Sequence, residues 1–487
     1  MKTIIKIILV FLPFVSSLAS TQDTIYVMRS GMVLYKKAIT DIDSISFENT
    51  SFNRQSVVNK IAKDPNFSIF YQGLVATGLV DSLMVDRDKS YNWNQYKSLI
   101  ANQGGSDVQR ELPFLRRYGF TVLMESDSTM RANGITDLES MKAYADANVY
   151  NADPSIIDVT NRQNSLNRFI AYHIINKKLS ISKFIDAYDT NNMIKTVDMY
   201  EYIESMCPNS LIEIKKERSS GLTNLINQSA DAGSAIHIIK NYNDNNISNG
   251  YYYGIDKIMT YNSSIIENLS GKRLRFDMAS LFPELTNNNM RASGKVQAWV
   301  FPNGYIKDLT CSQATKVYYY NANGDYCDYQ GDDVFFAGVY DFTFTTLSVP
   351  AGAYEVRIGY GPNNGSGIAE VYFDDIPAGV PIDFRMSATD PKIGYVTPGS
   401  QADDPYGYEN DKALRNHGYM KGPASYTSRM TANARGNVNV SRKVLGTYMF
   451  MNAGNHRITI KGLMDGTLMI DYIEFVPVSA LESEDIN

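Results

Sequence analysis

The residues best equipped for recognition chemistry lie between Tyr395 and Tyr426. There Tyr395, Tyr406, Tyr408, Asp411, Arg415, Asn416, His417 and Tyr419 mix aromatic rings with planar polar groups. A tyrosine offers an apolar face to the C–H side of a sugar ring and a hydroxyl to its polar edge, at little conformational cost. Sites that fix a small ligand combine such walls with a few convergent polar groups. The same tyrosines would equally serve a long ordered connection that packs on a sheet. The chain holds 34 Tyr against two Trp, Trp93 and Trp299, so its aromatic surface is mostly tyrosine. Tyr also favours strands, and part of that number belongs to core.

Patterns of catalysis are missing from the sequence. There is no Gly-x-Ser-x-Gly elbow, no His-Glu-x-x-His and no Gly-x-x-x-x-Gly-Lys loop, and the four His (His173, His237, His417, His456) form no cluster with Cys. A carboxylate pair for glycoside hydrolysis is set by the fold, not by spacing, so a glycan-active enzyme stays as a lesser reading. A net charge of −6 and a pI near 5.4, with no Lys/Arg run longer than two, exclude a phosphate-neutralising surface and hence nucleic acid. Gly359 to Gly365 has one residue too many for a dinucleotide fingerprint and reads as a hairpin loop. Cys207, Cys311 and Cys327 are an odd set that allows one internal bridge at most. Cys311 with Cys327 could staple a hairpin, and three buried thiols are the equal alternative. Asp332-Asp333 and Asp374-Asp375 offer oxygens to a cation or are simply solvated turns.

These side chains must be held by a long chain. At 487 residues and about 150 per domain, two or three domains are expected. Thr24 to Phe47 reads as a hairpin with a trailing strand at Ile42, Ile45 and Phe47, within a segment 24–50. From Ser56 the period turns helical, with Val57, Val58, Ile61, Phe67, Phe70 and Leu74, then Leu138, Met141 and Tyr144, then Leu166, Phe169 and Ile170. Tyr118 to Met124 reads as a strand between them, so 56–262 is mixed α/β. Residues 263–290 read as a connector. Beyond Met290 short strands with Gly, Pro and Asn turns follow one another, as in Tyr340 to Thr345, Tyr354 to Ile358, Ala369 to Phe373, Arg442 to Phe450, His456 to Lys461 and Thr467 to Val476. That spacing predicts a β-sandwich over 291–480, ahead of an acidic tail, 481–487.

The first residues read as a secretion signal. Lys2 and Lys6 flank and interrupt an apolar run ending at Val15, and Ser17-Leu18-Ala19 offers a small-residue cleavage site, so 1–19 would be removed. The run is shorter than the ~18–20 residues of a membrane-spanning helix, and no later segment comes closer. No Cys stands directly after the cleavage point, the first being Cys207. The expectation is an exported protein, periplasmic, surface-associated or secreted, with no transmembrane segment and no lipid anchor.

Three stretches of the α/β segment resemble a fasciclin-type domain: Tyr118 to Met130 its first block, Leu166 to Leu179 with the Tyr172-His173 pair its second, and Gly250 to Met259 its closing strand. The resemblance covers about two hundred residues, with insertions near 85–112 and 147–160, and Met124-Glu125-Ser126 departs from the family's usual turn. With the preceding hairpin it is similar to fasciclin-domain proteins of Bacteroidota. The resemblance implies an α+β fold and adhesion without catalysis, with Tyr172 and His173 at a position tied to attachment. Helical spacing from Leu166 puts His173 on the core face, which favours packing and hydrogen bonding for both.

The C-terminal segment resembles a galactose-binding-like jelly roll of the carbohydrate-binding-module kind, through Thr467 to Pro477 and Val349 to Ile358. That resemblance implies carbohydrate binding, and it implies a structural calcium at Asp471. A cation of that kind takes about six to eight oxygens, and no first-strand acid is evident to join Asp471. Together the two resemblances imply a multidomain, non-enzymatic binding protein whose partner is a glycan or a surface protein, within an outer-membrane uptake complex. A structural or assembly protein that binds another protein is the rival.

Overall fold

The computed structural model describes residues 24–29, 32–38, 55–100, 112–181, 184, 200–217, 223–228, 232–239, 247–291, 297–321, 329–397, 408–423 and 438–481. The expected signal, the trailing strand at Ile42 to Phe47, Tyr406, Cys327 and the tail beyond Leu481 lie outside these residues, and of Tyr408 only the backbone is described. The chain divides into Met1–Arg54 and Gln55–Asn487. In the first unit β1 (Thr24–Arg29) and β2 (Met32–Ala38) pair antiparallel.

The second unit opens with an α+β part. Its helices are α1 (Val57–Ile61), α2 (Ser68–Ala76), α3 (Leu79–Met84), α4 (Trp93–Ile100), α5 (Asp127–Ala132), α6 (Leu138–Asn148) and α7 (Ser165–Tyr172). Polar caps start them where the sequence places Ser, Asp or Asn. Asp137 and Ser140 form a reciprocal box on α6, and Asn164 accepts from the Leu166 and Asn167 amides on α7. The strands are β3 (Phe120–Glu125), β4 (Ile174–Ile175), β5 (Tyr200–Glu204), β6 (Leu211–Glu217), β7 (Thr223–Ile226), β8 (Ile236–Ile239) and β9 (Gly250–Ile255), in the order β4-β3-β9-β8-β7-β6-β5. β3 is buried along its whole length and pairs parallel with β9. Gly250 permits that pairing, since a Cβ there would come within 2.4 Å of the Phe120 carbonyl oxygen.

After α8 (Ser263–Ser270) come β10 (Leu274–Asp277) and α9 (Pro283–Asn287), then β11 (Gln297–Phe301), β12 (Leu309–Cys311), β13 (Lys316–Asn321), β14 (Asp332–Gly338), β15 (Asp341–Thr345), β16 (Gly352–Gly361), β17 (Ile368–Phe373), β18 (Ile376–Pro377) and β19 (Ile382–Asp383). The last elements are α10 (Tyr408–Asn416), β20 (Tyr419–Lys421), β21 (Ser441–Phe450), β22 (Arg457–Gly462) and β23 (Gly466–Pro477). They build a two-sheet antiparallel sandwich. One sheet runs β11-β13-β14-β23-β16-β21-β20, with β10 added to β23; the other runs β12-β15-β22-β17-β18, with β19 on β17. Phe373 of the second sheet meets Phe450 and Phe475 of the first, at 5.9 and 6.2 Å between ring centres, in the shared core.

The fold class read from the sequence, an α+β part followed by a jelly-roll-like β-sandwich, is the one observed. The connector is different. Residues 263–290 contain α8, capped by Asn262, and β10, whose four residues are all buried and pair with Tyr472 to Phe475 of β23. Leu-Arg-Phe-Asp hides its strand character because its polar positions, Arg275 and Asp277, find partners inside the protein.

Candidate functional site

The stretch expected as a long loop folds in part into α10 and the edge strand β20. Leu414, 1% exposed, anchors α10 on the sheet, and a single apolar anchor gives the sequence no helical stripe to read. Arg415 grips both carboxylate oxygens of Glu355 on β16, at 3.0 and 2.7 Å, in the bidentate geometry that fixes a guanidinium. Lys443 of β21 lies 4.0 Å over the Tyr419 ring and donates to the His417 carbonyl at 3.0 Å. Burial pulls this ammonium down to about 8 and pushes the Tyr419 hydroxyl up. Asp411 pairs with Lys421 at 3.4 Å, and the His417 ring is tied to the Ala413 carbonyl at 2.9 Å. Asp411, Arg415, Asn416, His417 and Tyr419 thus share one helix-to-strand corner, with Asn416 and His417 exposed and Tyr419 half-buried.

Behind that corner an ionic row crosses the outer face of the larger sheet. Glu355 takes Arg357 Nε at 2.6 Å, and Glu474 of β23 takes Arg275 Nη2 at 2.6 Å, Arg442 Nη1 at 3.2 Å and Arg357 Nη1 at 3.7 Å. Burial alone would raise Glu474; the guanidinium groups of Arg275, Arg442 and Arg357 outweigh it and hold the carboxyl far below the usual range. Arg275 is clasped between Tyr329 and Tyr472, 5.0 and 4.9 Å from their ring centres. Tyr472 lies flat because residue 359 is glycine, where a Cβ would come within 2.3 Å of its ring. Alternating charges in Tyr-Glu-Val-Arg-Ile read as a solvent face, so sequence reasoning passed over this row.

Asp471 stands elsewhere, at the seam between the α+β part and the sandwich. Its carboxylate accepts the Tyr329 amide at 2.8 Å, and its carbonyl accepts the Met278 amide. Nearby, the guanidinium of Arg291 bridges Asp277 and Asp332 at 2.5 and 2.8 Å. Lys177, brought down to about 8 by burial, donates to the Ser280 carbonyl. Burial and the neighbouring Asp332 carry Asp277 well above its ordinary range. Arg291 thus already bridges Asp277 and Asp332, and among the described residues no three metal-ligating side chains converge. The residues present do not fit the calcium expected at Asp471. Of the acidic pairs, Asp374 holds His456 Nδ1 at 2.7 Å and the Arg457 amide at 2.8 Å.

Tyr172 and His173 are fully buried. Tyr172 donates to the Leu211 carbonyl and accepts from Asn227; His173 Nε2 meets Glu125 at 2.9 Å and Nδ1 the Phe169 carbonyl at 2.8 Å. As folded, the pair packs the α+β core and offers no contact surface. Cys207 and Cys311 are buried free thiols, and Cys327 lies outside the described residues.

A second cluster, which sequence reasoning missed, joins residues 88–96 and 112–118 to the turn after β11. Arg116 donates to Asp88 at 2.7 Å and to the Gly304 and Tyr305 carbonyls at 3.1 and 2.7 Å. Lys307 reaches Asp88 at 2.9 Å and also donates to the Tyr118 hydroxyl. Burial raises Asp88, but hydrogen bonds from Ser90, Lys307 and Arg116 hold it well below the usual range. Tyr91 stacks on Tyr96 at 5.5 Å under the Arg116 guanidinium, and burial lifts its hydroxyl to about 12. Trp93 packs on Phe114 at 5.6 Å. The available signal was Tyr91-Asn-Trp93 with Tyr96, a knot of aromatics in a polar insertion. Because the folded carboxylate is depressed, its stabilisation is complete above the unfolded value of about 4 and is lost as pH falls below it. Asp88→Asn is therefore expected to flatten the acid limb of thermal stability between about pH 4 and pH 2, measured by circular dichroism.

No protein-family model matches the sequence, and no curated protein does. Among solved structures the chain is similar to a FAS1 domain pair from the insect cell adhesion molecule fasciclin I, with a TM-score of 0.24 and 12% identity over 42% of this chain and 50% of that one. It thus spans half the length of that pair. It is similar also to the catalytic domain of a GH87 α-1,3-glucanase in complex with nigerose, with TM-score 0.19, 19% identity, 35% of this chain and 28% of that one. A third is the Podospora anserina GH26-CBM35 β-(1,4)-mannanase, with TM-score 0.18, 15% identity, 37% and 27%. At these scores the likenesses carry no argument about activity. No helix among the described residues is long and apolar enough to cross a membrane.

Proposed function

We propose that the chain is an exported, non-enzymatic binding protein that takes carbohydrate at the α10–β20 corner of its sandwich and docks to a surface through its α+β part. The observation that carries this reading is the corner itself. Arg415 is clamped on Glu355 and Tyr419 is held under Lys443, so exposed Asn416 and His417 sit beside a fixed, half-buried ring. A pre-set aromatic face with planar polar neighbours suits a sugar ring, since little side-chain freedom is lost on binding. Attachment through Tyr172 and His173 is not part of the proposal, because both are interior.

A glycan array probed with the whole chain tests it. Tyr419→Ala is expected to weaken the preferred glycan by about tenfold or more, and Asn416→Ala by a few-fold, with a cooperative thermal transition retained in both. Binding to no glycan, together with a protein recovered by pull-down, would favour the structural or assembly reading. Shortened polysaccharide chains after incubation would favour an enzyme.

A further inference from the structure

We propose that the seam between the α+β part and the sandwich is a proton-operated lock, closed while the buried acids around Arg291 keep a proton and loosened when that proton leaves. Its residues are not those of the α10–β20 corner, and it does not rest on that reading.

Bonds across the seam run through titratable groups. Lys177 donates to the Ser280 carbonyl at 2.5 Å, Glu201 of β5 accepts from Gln330, and the Tyr200 carbonyl accepts the Tyr329 hydroxyl at 2.6 Å. Glu204, which ends β5, accepts the Ser348 amide at 2.5 Å and the Asn455 side chain at 2.6 Å. On the sandwich side Arg291 reaches Asp277 and Asp332 at 2.5 and 2.8 Å. Asp277 also accepts the Ser280 amide, and Asp332 the Tyr319 hydroxyl, each at 2.8 Å. All of these bonds fall on the Oδ2 atom of each acid. Both Oδ1 atoms are buried with no hydrogen-bond partner among the described residues.

The charges here do not balance. Asp277, Asp332, Glu201, Glu204 and Asp471 share two cations, Arg291 and Lys177. Asp333 takes the opposite face of β14 by strand alternation. Arg273 and Arg275, the next cations along the chain, act on Glu474, and counting all three still leaves six acids against four cations. A buried carboxylate short of a cation keeps a proton instead. Asp277 is its seat, because it divides one guanidinium with Asp332 and keeps a bare oxygen beside it. A proton on either acid turns an acceptor into a donor and relieves the repulsion between them.

Burial, with Asp332, carries Asp277 well above its ordinary range, and burial raises Glu201 and Glu204. An acid raised in the folded state stabilises fully below its unfolded value of about 4, and that stability is lost as pH rises through the folded value. Asp88 and Glu474, both depressed, have reached their full contribution above that range. Lys177, lowered to about 8, changes only above that pH. The lock therefore opens between about pH 4 and about pH 8.

Hydrogen exchange of the whole chain at about pH 5 and about pH 8, corrected for the intrinsic rate, tests the proposal. Seam segments 200–206, 274–281 and 329–334 are expected to lose about tenfold in protection at the higher pH, while α7 stays unchanged. Asp277→Asn, a neutral isostere, should abolish the difference. Equal protection of the seam at both pH values, an equal loss in α7, or a full difference surviving in both Asp277→Asn and Asp332→Asn overturns the proposal. Infrared spectra of aspartate-labelled wild type keep the test open if the variants fail to fold. A protonated-carboxyl band present at the lower pH and lost at the higher supports the lock, and its absence at the lower pH overturns it.

Discussion

Glu474→Gln is expected to lower the stability of the chain by about 3–5 kcal/mol, the range for breaking a buried ion pair from one side. Glu474 is fully buried and serves Arg275, Arg357 and Arg442 together, from three neighbouring strands. Gln keeps the shape and removes the charge, so three guanidinium groups lose their shared carboxylate while packing is preserved. The loss should appear as a lower urea midpoint with an unchanged slope. Arg275→Met is expected to destabilise as well. The double variant, Arg275→Met with Glu474→Gln, should lose less than the sum of the single changes, because it removes a charge and its partner together. Additive losses would mean that the row is not a coupled unit.

A larger effect is expected on cutting the chain where the sequence reads as a boundary. Residues 291–480 alone lack β10, and with it the buried Leu274 and Phe276 and the Arg275 partner of Glu474. Two such apolar side chains are worth about 1.5–3 kcal/mol each, and the broken pair about 3–5 kcal/mol. Their sum rivals the whole stability of an ordinary domain, about 5–15 kcal/mol. The fragment should show no cooperative thermal transition, whereas residues 55–481 should show one. A sharp transition in 291–480 would mean that β10 is dispensable.

The contrast between those boundaries shows what was legible in the sequence. Where burial is apolar and periodic it reads directly: Leu166, Phe169 and Ile170 mark α7, and the alternation of Tyr354, Val356 and Ile358 marks β16. Where charge is buried the pattern fails. Arg275 and Asp277 disguise β10 as a connector, and Glu355 with Arg357 imitate a solvent face, although both pairs are interior. The α10 helix was hidden for another reason, because one buried leucine makes no stripe.

The corner residues Asp411, Arg415, Asn416, His417 and Tyr419 were legible as a composition, and the structure brings them together through Glu355 and Lys443, which no local pattern singles out. Tyr91, Trp93 and Lys307 could not be linked at all. More than two hundred residues separate Trp93 from Lys307, and only the fold brings their segments to one junction through Arg116 and Asp88. Asp471 illustrates the reverse case, a residue whose type fits a metal and whose carboxylate accepts the Tyr329 backbone amide.

Affinity electrophoresis of the whole chain in gels containing the glycan preferred on the array, with the chain length of that glycan measured after prolonged contact, tests the central claim most directly. The account predicts retardation of the wild type, loss of retardation in Tyr419→Ala with its thermal transition intact, and a glycan of unchanged length. Retardation that survives Tyr419→Ala, or a shortened glycan, would contradict it.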